Sequence, residues 1–167
     1  MLTELVIRFI QQSDNATLAG IIRNSLLEFG AAKPGTVYYD ETTDNLSELF
    51  NQELGSCYFV IIQNGEVCGG AGIYPTRALP VGTCEFVKLY LHKTVRGKGL
   101  GKILMDRCEQ AAKEMGYTSI YLETMPELRV AVPLYEKMGY TYLDGPLGNS
   151  GHTGCNIWMI KKISQDL

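Results

Sequence analysis

The sequence predicts a mixed α+β domain, a mostly antiparallel sheet with helices packed on its faces. Three observations carry that expectation. Two apolar runs, 57–63 and 66–74, meet at Asn64-Gly65, a pair suited to the positive φ that both positions of a tight hairpin turn require. A strand, a helix and a strand follow one another over 83–123 and read as one parallel crossover. The predicted order β-α-α-β-β-β-α-β-α-β-β does not alternate from its start, as a doubly wound sheet would.

Taken in order, residues 4–10 read as a strand. Ser13 or Asp14 can cap a helix whose apolar stripe is Leu18, Ile21, Ile22, Ser25 and Leu26, and which stops at Gly30. A loop with adjacent tyrosines, Tyr38 and Tyr39, precedes a short helix capped by Thr43 or Asp44, with Leu46, Leu49 and Phe50 on one face. After the hairpin comes a strand at 83–91, a glycine-rich turn and a long helix over about 99–115. That helix repeats apolar residues from Leu100 to Met115 at helical spacing and ends at Gly116. A strand at 118–123, a helix at about 128–138 and two last strands at 140–143 and 155–161 complete the chain.

The 167 residues suit one domain, expected over 1–167. With 46% hydrophobic and 20% charged residues, the chain has enough apolar surface to offset the entropy of ordering it. Apolar runs are too short to cross a bilayer, so no membrane role is expected. The start reads as no signal peptide, because an acid and a base interrupt its apolar stretch. A net charge of −3 argues against a nucleic-acid surface. The five cysteines form no C-x-x-C pair and no zinc spacing; no metal is expected, and a reducing, cytoplasmic compartment is.

Positive charge is nonetheless concentrated. Lys88, Lys93, Arg96, Lys98 and Lys102 lie together with no acid between the first and the last. Within that stretch, Arg96-Gly97-Lys98-Gly99-Leu100-Gly101-Lys102 joins a strand to a helix. Alternate glycines let a large group approach the backbone, and unpaired N–H groups at the helix start favour a phosphate. A Walker A loop fails, because Ile103 follows Lys102 where Ser or Thr is needed. The G-x-G-x-G spacing also departs from the dinucleotide fingerprint. Glu123 stands where a ribose acid could be, but the upstream meander disfavours that alternative.

These residues resemble a known family. Arg96-x-x-Gly99-x-Gly101 is similar to the Q/R-x-x-G-x-G/A pyrophosphate loop of the GNAT superfamily of N-acetyltransferases. Lys88-Leu-Tyr-Leu-His resembles its acetyl-CoA-binding strand, and Ala131-Val-Pro-Leu-Tyr-Glu-Lys-Met-Gly-Tyr140 its A-x-x-L-Y-E-K-x-G-F segment. The resemblance covers essentially the whole chain and implies the GNAT acyl-CoA N-acyltransferase-like fold, with acetyl-CoA as cosubstrate. It implies that main-chain N–H groups from Gly97 to Lys102 hold the pyrophosphate, and that the backbone of Leu89, Tyr90 and Leu91 pairs with the pantetheine arm. It further implies that strands 83–91 and 118–123 splay apart at a bulge. Where the family often has Asn after the fifth strand, this chain has Thr124.

The resemblance places Tyr135 at the family's proton donor. An amine attacking a thioester must be neutral and must expel a thiolate, so a base and an acid are both useful near neutrality. Glu85 is the candidate base: period-two counting puts it on one face with Val87 and Leu89, and an apolar setting would raise its pKa. His152, in the glycine-rich 144–154 connection, is a further candidate because histidine as a residue type can carry a proton near neutrality, although an exposed loop histidine would need no such role. Tyr38 and Tyr39, with Asp40, fall in a region that covers the acceptor in this family, and they suit a small cation. Glu123 is a further candidate acceptor contact. The long loops at 31–43 and 144–154 favour a small-molecule amine. A CoA-binding module without catalysis and a transferase of longer acyl groups are the alternatives. The sequence leaves monomer and homodimer open.

Overall fold

A computed structural model describes residues 3–163, so both ends of the predicted 1–167 unit lie outside the described residues. The elements are β1 (Leu5–Phe9), α1 (Asn15–Glu28), α2 (Leu46–Gln52), β2 (Cys57–Gln63), β3 (Glu66–Tyr74), β4 (Thr83–Leu91), α3 (Leu100–Glu114), β5 (Ser119–Thr124), α4 (Ala131–Lys137), β6 (Thr141–Leu143) and β7 (Ile157–Lys162). Their order is the predicted one. Among the described residues they form a seven-stranded sheet, β1-β2-β3-β4-β5-β7-β6, in which only β4 and β5 run parallel.

Alternation along β2 explains the layers. Cys57, Phe59 and Ile61 face the cluster built on Leu100, Leu104 and Cys108 of α3. Tyr58 and Val60 face the opposite cluster, built on Leu18, Ile22 and Leu26 of α1 with Leu46 and Phe50 of α2. A strand buried on both faces must be apolar at consecutive positions, and this one is. Next to it, β3 has no room for a side chain at two positions: a Cβ on Gly72 would lie 2.5 Å from the Cys57 carbonyl oxygen, and one on Gly70 would strike the Tyr58 ring.

Two predicted caps are corrected. Asp14 precedes α1, yet its carboxylate accepts from Arg8 at 2.7 and 3.0 Å and from the Gln11 N–H at 2.8 Å, rather than from the helix. Thr43 and Asp44 lie in a 3-10 turn, and Asn45 precedes α2. Thr43 Oγ1 donates to the Val37 carbonyl and Asp44 pairs with Arg23, so both side chains have partners other than the helix.

What positions the site is β4. Its register against β3 shifts between Gly70↔Tyr90 and Gly72↔Val87, and Lys88 takes a left-handed φ of 56° at the resulting bulge. The bulge reverses the face count. Val87 packs on the α1 side, while Leu89 and Leu91 pack on the α3 side, so Leu89 does not share a face with Glu85 as simple alternation predicts. On its other edge, β4 pairs with β5 only at Thr83–Glu85. Beyond Glu85 the two strands part.

Candidate active site

The parting of β4 and β5 opens a cavity of about 300 Å³. Its walls bring together most of the predicted site: Leu89, Tyr90 and Leu91 from β4; Arg96, Gly97, Gly99, Leu100, Gly101 and Lys102 from the turn and α3; Thr124, Tyr135, Glu85, Glu123 and His152. Lys98, Tyr38 and Tyr39 are not among them. Tyr39 is exposed and edge-on to Tyr38, and the next residue, Asp40, makes the contact with His152. The two tyrosines predicted for the acceptor thus stand beside the cavity rather than in its walls.

At the loop end, Gly97 and Gly99 have φ of 75° and 80°, and a Cβ on either would meet open space. Their conformation leaves the start of α3 without a side-chain cap. The first-turn N–H groups of a 15-residue helix thus face outward at its positive end. Arg96 is held by its neighbours. Its guanidinium donates to the Leu91 carbonyl (3.0 Å), Glu28 (2.7 Å) and Ser25 Oγ (3.0 Å), and lies over the Phe29 ring. The arginine braces the loop against α1.

Midway stand two hydroxyls, of Thr124 and Tyr135. Thr124 Oγ1 is buried and has no hydrogen-bond partner among the described residues. Tyr135 is packed edge-to-face on Phe86 at 6.1 Å and against Tyr140 at 6.2 Å. Burial raises its pKa, so the phenol keeps its proton at neutral pH.

The far end carries the charges. Glu85, only 3% exposed, accepts from Thr76 Oγ1 at 2.6 Å. Burial, reinforced by the nearby Glu123, pushes its pKa up to about 7, against the lowering effects of Thr76, His152 and Lys88. Glu123 accepts hydrogen bonds from Tyr121 and Ser150. Ligand atoms of Glu85, Glu123 and His152 all lie within 4.8 Å of one another. A cation could meet all three, but Glu123 already serves two donors, and the Lys88 ammonium also acts on Glu85. His152 Nε2 lies 3.2 Å from Asp40 Oδ2, and Lys88 Nζ lies 3.9 Å from the same oxygen. Asp40 Oδ1 accepts from the Thr42 N–H and Oγ1.

Sequence reasoning counted Lys88 with the basic residues of the glycine loop rather than with Asp40 and Glu85, and it missed Thr76 and Ser150. The resemblance implies a bulge but not that Lys88 carries it, and the other two are ordinary loop hydroxyls until the fold brings them to Glu85 and Glu123. Cys155 also lines the cavity, where burial pushes its thiol up to about 12.

Comparison with known proteins accounts for this architecture. The acetyltransferase (GNAT) family matches residues 23–140. The uncharacterized N-acetyltransferase YjgM of Escherichia coli is 36% identical over 159 residues, 95% of each chain. Human N-acetyltransferase 8 is 31% identical over 120 residues, 68% of this chain and 53% of its own. Among solved structures, a GNAT-family acetyltransferase from Staphylococcus aureus Mu50 superposes with a TM-score of 0.84 at 19% identity, covering 96% of this chain and all of the other. The Salmonella typhimurium protein yncA, solved with acetyl-CoA, gives 0.75 at 21% identity, covering 98% and 96%. The structural likenesses establish the fold, and the family match with the full-length relative establishes kinship. The chain belongs to the acetyltransferase (GNAT) family and is an N-acetyltransferase with acetyl-CoA as cosubstrate.

Proposed function

We propose that the protein acetylates a primary amine of a small molecule by direct attack in a ternary complex. The observation that carries this reading is that one cavity joins three features: one end has the uncapped start of α3, the middle an unpaired hydroxyl and a protonated phenol, and the far end a carboxylate with its pKa near neutrality.

The N–H groups from Gly97 to Lys102 hold the pyrophosphate, and the unpaired edge of β4 at Leu89–Leu91 takes the pantetheine amides. The Thr124 hydroxyl meets one of them and so gains the partner it lacks. Acetyl-CoA supplies an acetyl thioester, whose carbon–sulfur bond breaks as the carbon–nitrogen bond of the product forms. Glu85, ionised above about pH 7, receives the amine proton. Tyr135 gives a proton to the departing sulfur, and the proton gathered by Glu85 balances it.

A small acceptor fits the closure of this end. The Gly154 N–H donates to the Gly35 carbonyl at 2.9 Å, and the His152–Asp40 contact joins the same two loops, so an extended peptide meets a wall. All five cysteines are free, which suits a cytoplasmic setting. Among the described residues, no helix is long and apolar enough to cross a membrane.

Calorimetric titration with acetyl-CoA tests the cosubstrate seat. Binding at tens of micromolar or tighter in the wild type, lost in Gly99→Val, is expected; equal affinity in the two proteins would displace the pyrophosphate from this loop. CoA release against a panel of amines then tests transfer.

A further inference from the structure

Of the charged groups in the cavity, Lys88 has no part in acetyl transfer as described so far. Its side chain is only 5% exposed and lines the cavity at the β4 bulge. Among the described residues its ammonium donates no hydrogen bond. The partner it does have, Asp40 Oδ2, is 3.9 Å away, too far for one. That carboxylate is already engaged by His152 and, through its other oxygen, by Thr42. An ammonium with its shaft buried and its donors unused is costly until an anionic oxygen reaches it.

The bulge determines where that oxygen would come from. Straight alternation would send Lys88 to the face opposite Glu85, whereas the left-handed turn at φ 56° brings it to the Asp40–His152 pair, close enough to act on Glu85. The cup therefore has two kinds of contact side by side. The clustered ligand atoms of Glu85, Glu123 and His152, within 4.8 Å of one another, suit an amine. Lys88 donates to an anion. A plain alkylamine would leave Lys88 as it stands, and a diamine would set a second cation against it. A carboxylate next to the reacting amine answers both.

We propose that the acceptor is an amino acid, or a derivative with its carboxylate free: Lys88 takes the carboxylate and so turns the amine toward Glu85. This rests on the acetyl-transfer reading and narrows it to one substrate class. Lys88 is then a specificity-determining residue, and Asp40 keeps its ammonium in place.

The test uses matched pairs, each an α-amino acid and its decarboxylated amine, drawn from the protein amino acids. CoA release gives kcat/KM for wild type, Lys88→Met and Lys88→Arg. Calorimetry gives amino-acid binding to the CoA-loaded protein, and acetyl-CoA titration checks that each variant is folded. Wild type is expected to prefer the amino acid of its best pair by tenfold or more. In Lys88→Met that ratio falls toward one and calorimetric binding of the amino acid is lost, with the acetyl-CoA Kd within twofold; Lys88→Arg keeps part of the preference. Equal use of both members by wild type, turnover of plain amines alone, or an unchanged ratio in Lys88→Met would overturn the carboxylate assignment and leave acetyl transfer standing. CoA release from no pair would overturn the acetyl-transfer reading, and this inference with it.

Discussion

His152 Nε2 and Asp40 Oδ2 lie 3.2 Å apart although 112 residues separate them in the chain. This contact joins the loop before α2 to the loop before β7, directly over the charged end of the cavity. The hydrogen bond from His152 is the largest influence holding the Asp40 carboxyl well below the usual carboxylate range. Thr42 and the Lys88 charge add to it, and burial opposes it. Asp40 is thereby an anion at every pH near neutrality, and its partners are oriented around it.

Replacing Asp40 by Asn removes that charge from His152 and Lys88 without emptying the space. Loss of charge-assisted hydrogen bonding of about 1.5–3 kcal/mol corresponds to about ten- to a hundredfold in acceptor kcat/KM. Steady-state kinetics with acetyl-CoA saturating should show this fall, while the acetyl-CoA Kd moves by less than twofold. An equal loss in both would mean that Asp40 supports the fold rather than the acceptor.

Glu85, as the proposed base, sets the expected pH dependence. Its carboxylate is the active form, so kcat/KM should rise with pH through about 7 and then level off. Glu85→Gln should remove that limb and lower turnover by about 10²–10⁴. The same group bears on stability with the opposite sign. The folded-state pKa of about 7 lies above the ordinary 4.5, so the folded protein holds this proton more tightly. The stabilisation is complete below about 4.5 and is lost as pH rises through about 7. Urea melts at pH 5 and pH 8 should show that difference shrinking in Glu85→Gln.

Tyr135→Phe separates donor from scaffold. The ring keeps its contacts with Phe86 and Tyr140, so the variant should fold and bind acetyl-CoA as before. Without the phenol proton, turnover should drop by about 10²-fold or more. Single-turnover CoA release that is unchanged in the variant would remove Tyr135 from the chemistry.

Local chemistry made much of the fold legible. The Asn64-Gly65 turn has φ of 51° and 82°, as its residue types imply, and α3 begins just after Gly99 and stops before Gly116 for the same reason. The glycine loop and Tyr135 stand out because short motifs carry them, and Glu85 because it is a carboxylate in an apolar strand. What stayed hidden depends on distant partners. Asp14 turned from the helix to Arg8 because an ion pair with two hydrogen bonds outcompetes a cap. Leu89 changed face because one extra residue at Lys88 flips every side chain beyond it. Asp40 is one carboxylate in a loop until the fold sets His152 beside it.

A crystal structure of the protein with CoA bound bears most directly on the central claim. The pyrophosphate oxygens are expected within hydrogen-bond distance of the main-chain N–H groups between Gly97 and Lys102, with pantetheine along Leu89–Leu91 and sulfur beside Tyr135. A coenzyme seated elsewhere, with the gap between β4 and β5 still holding only solvent, would contradict it.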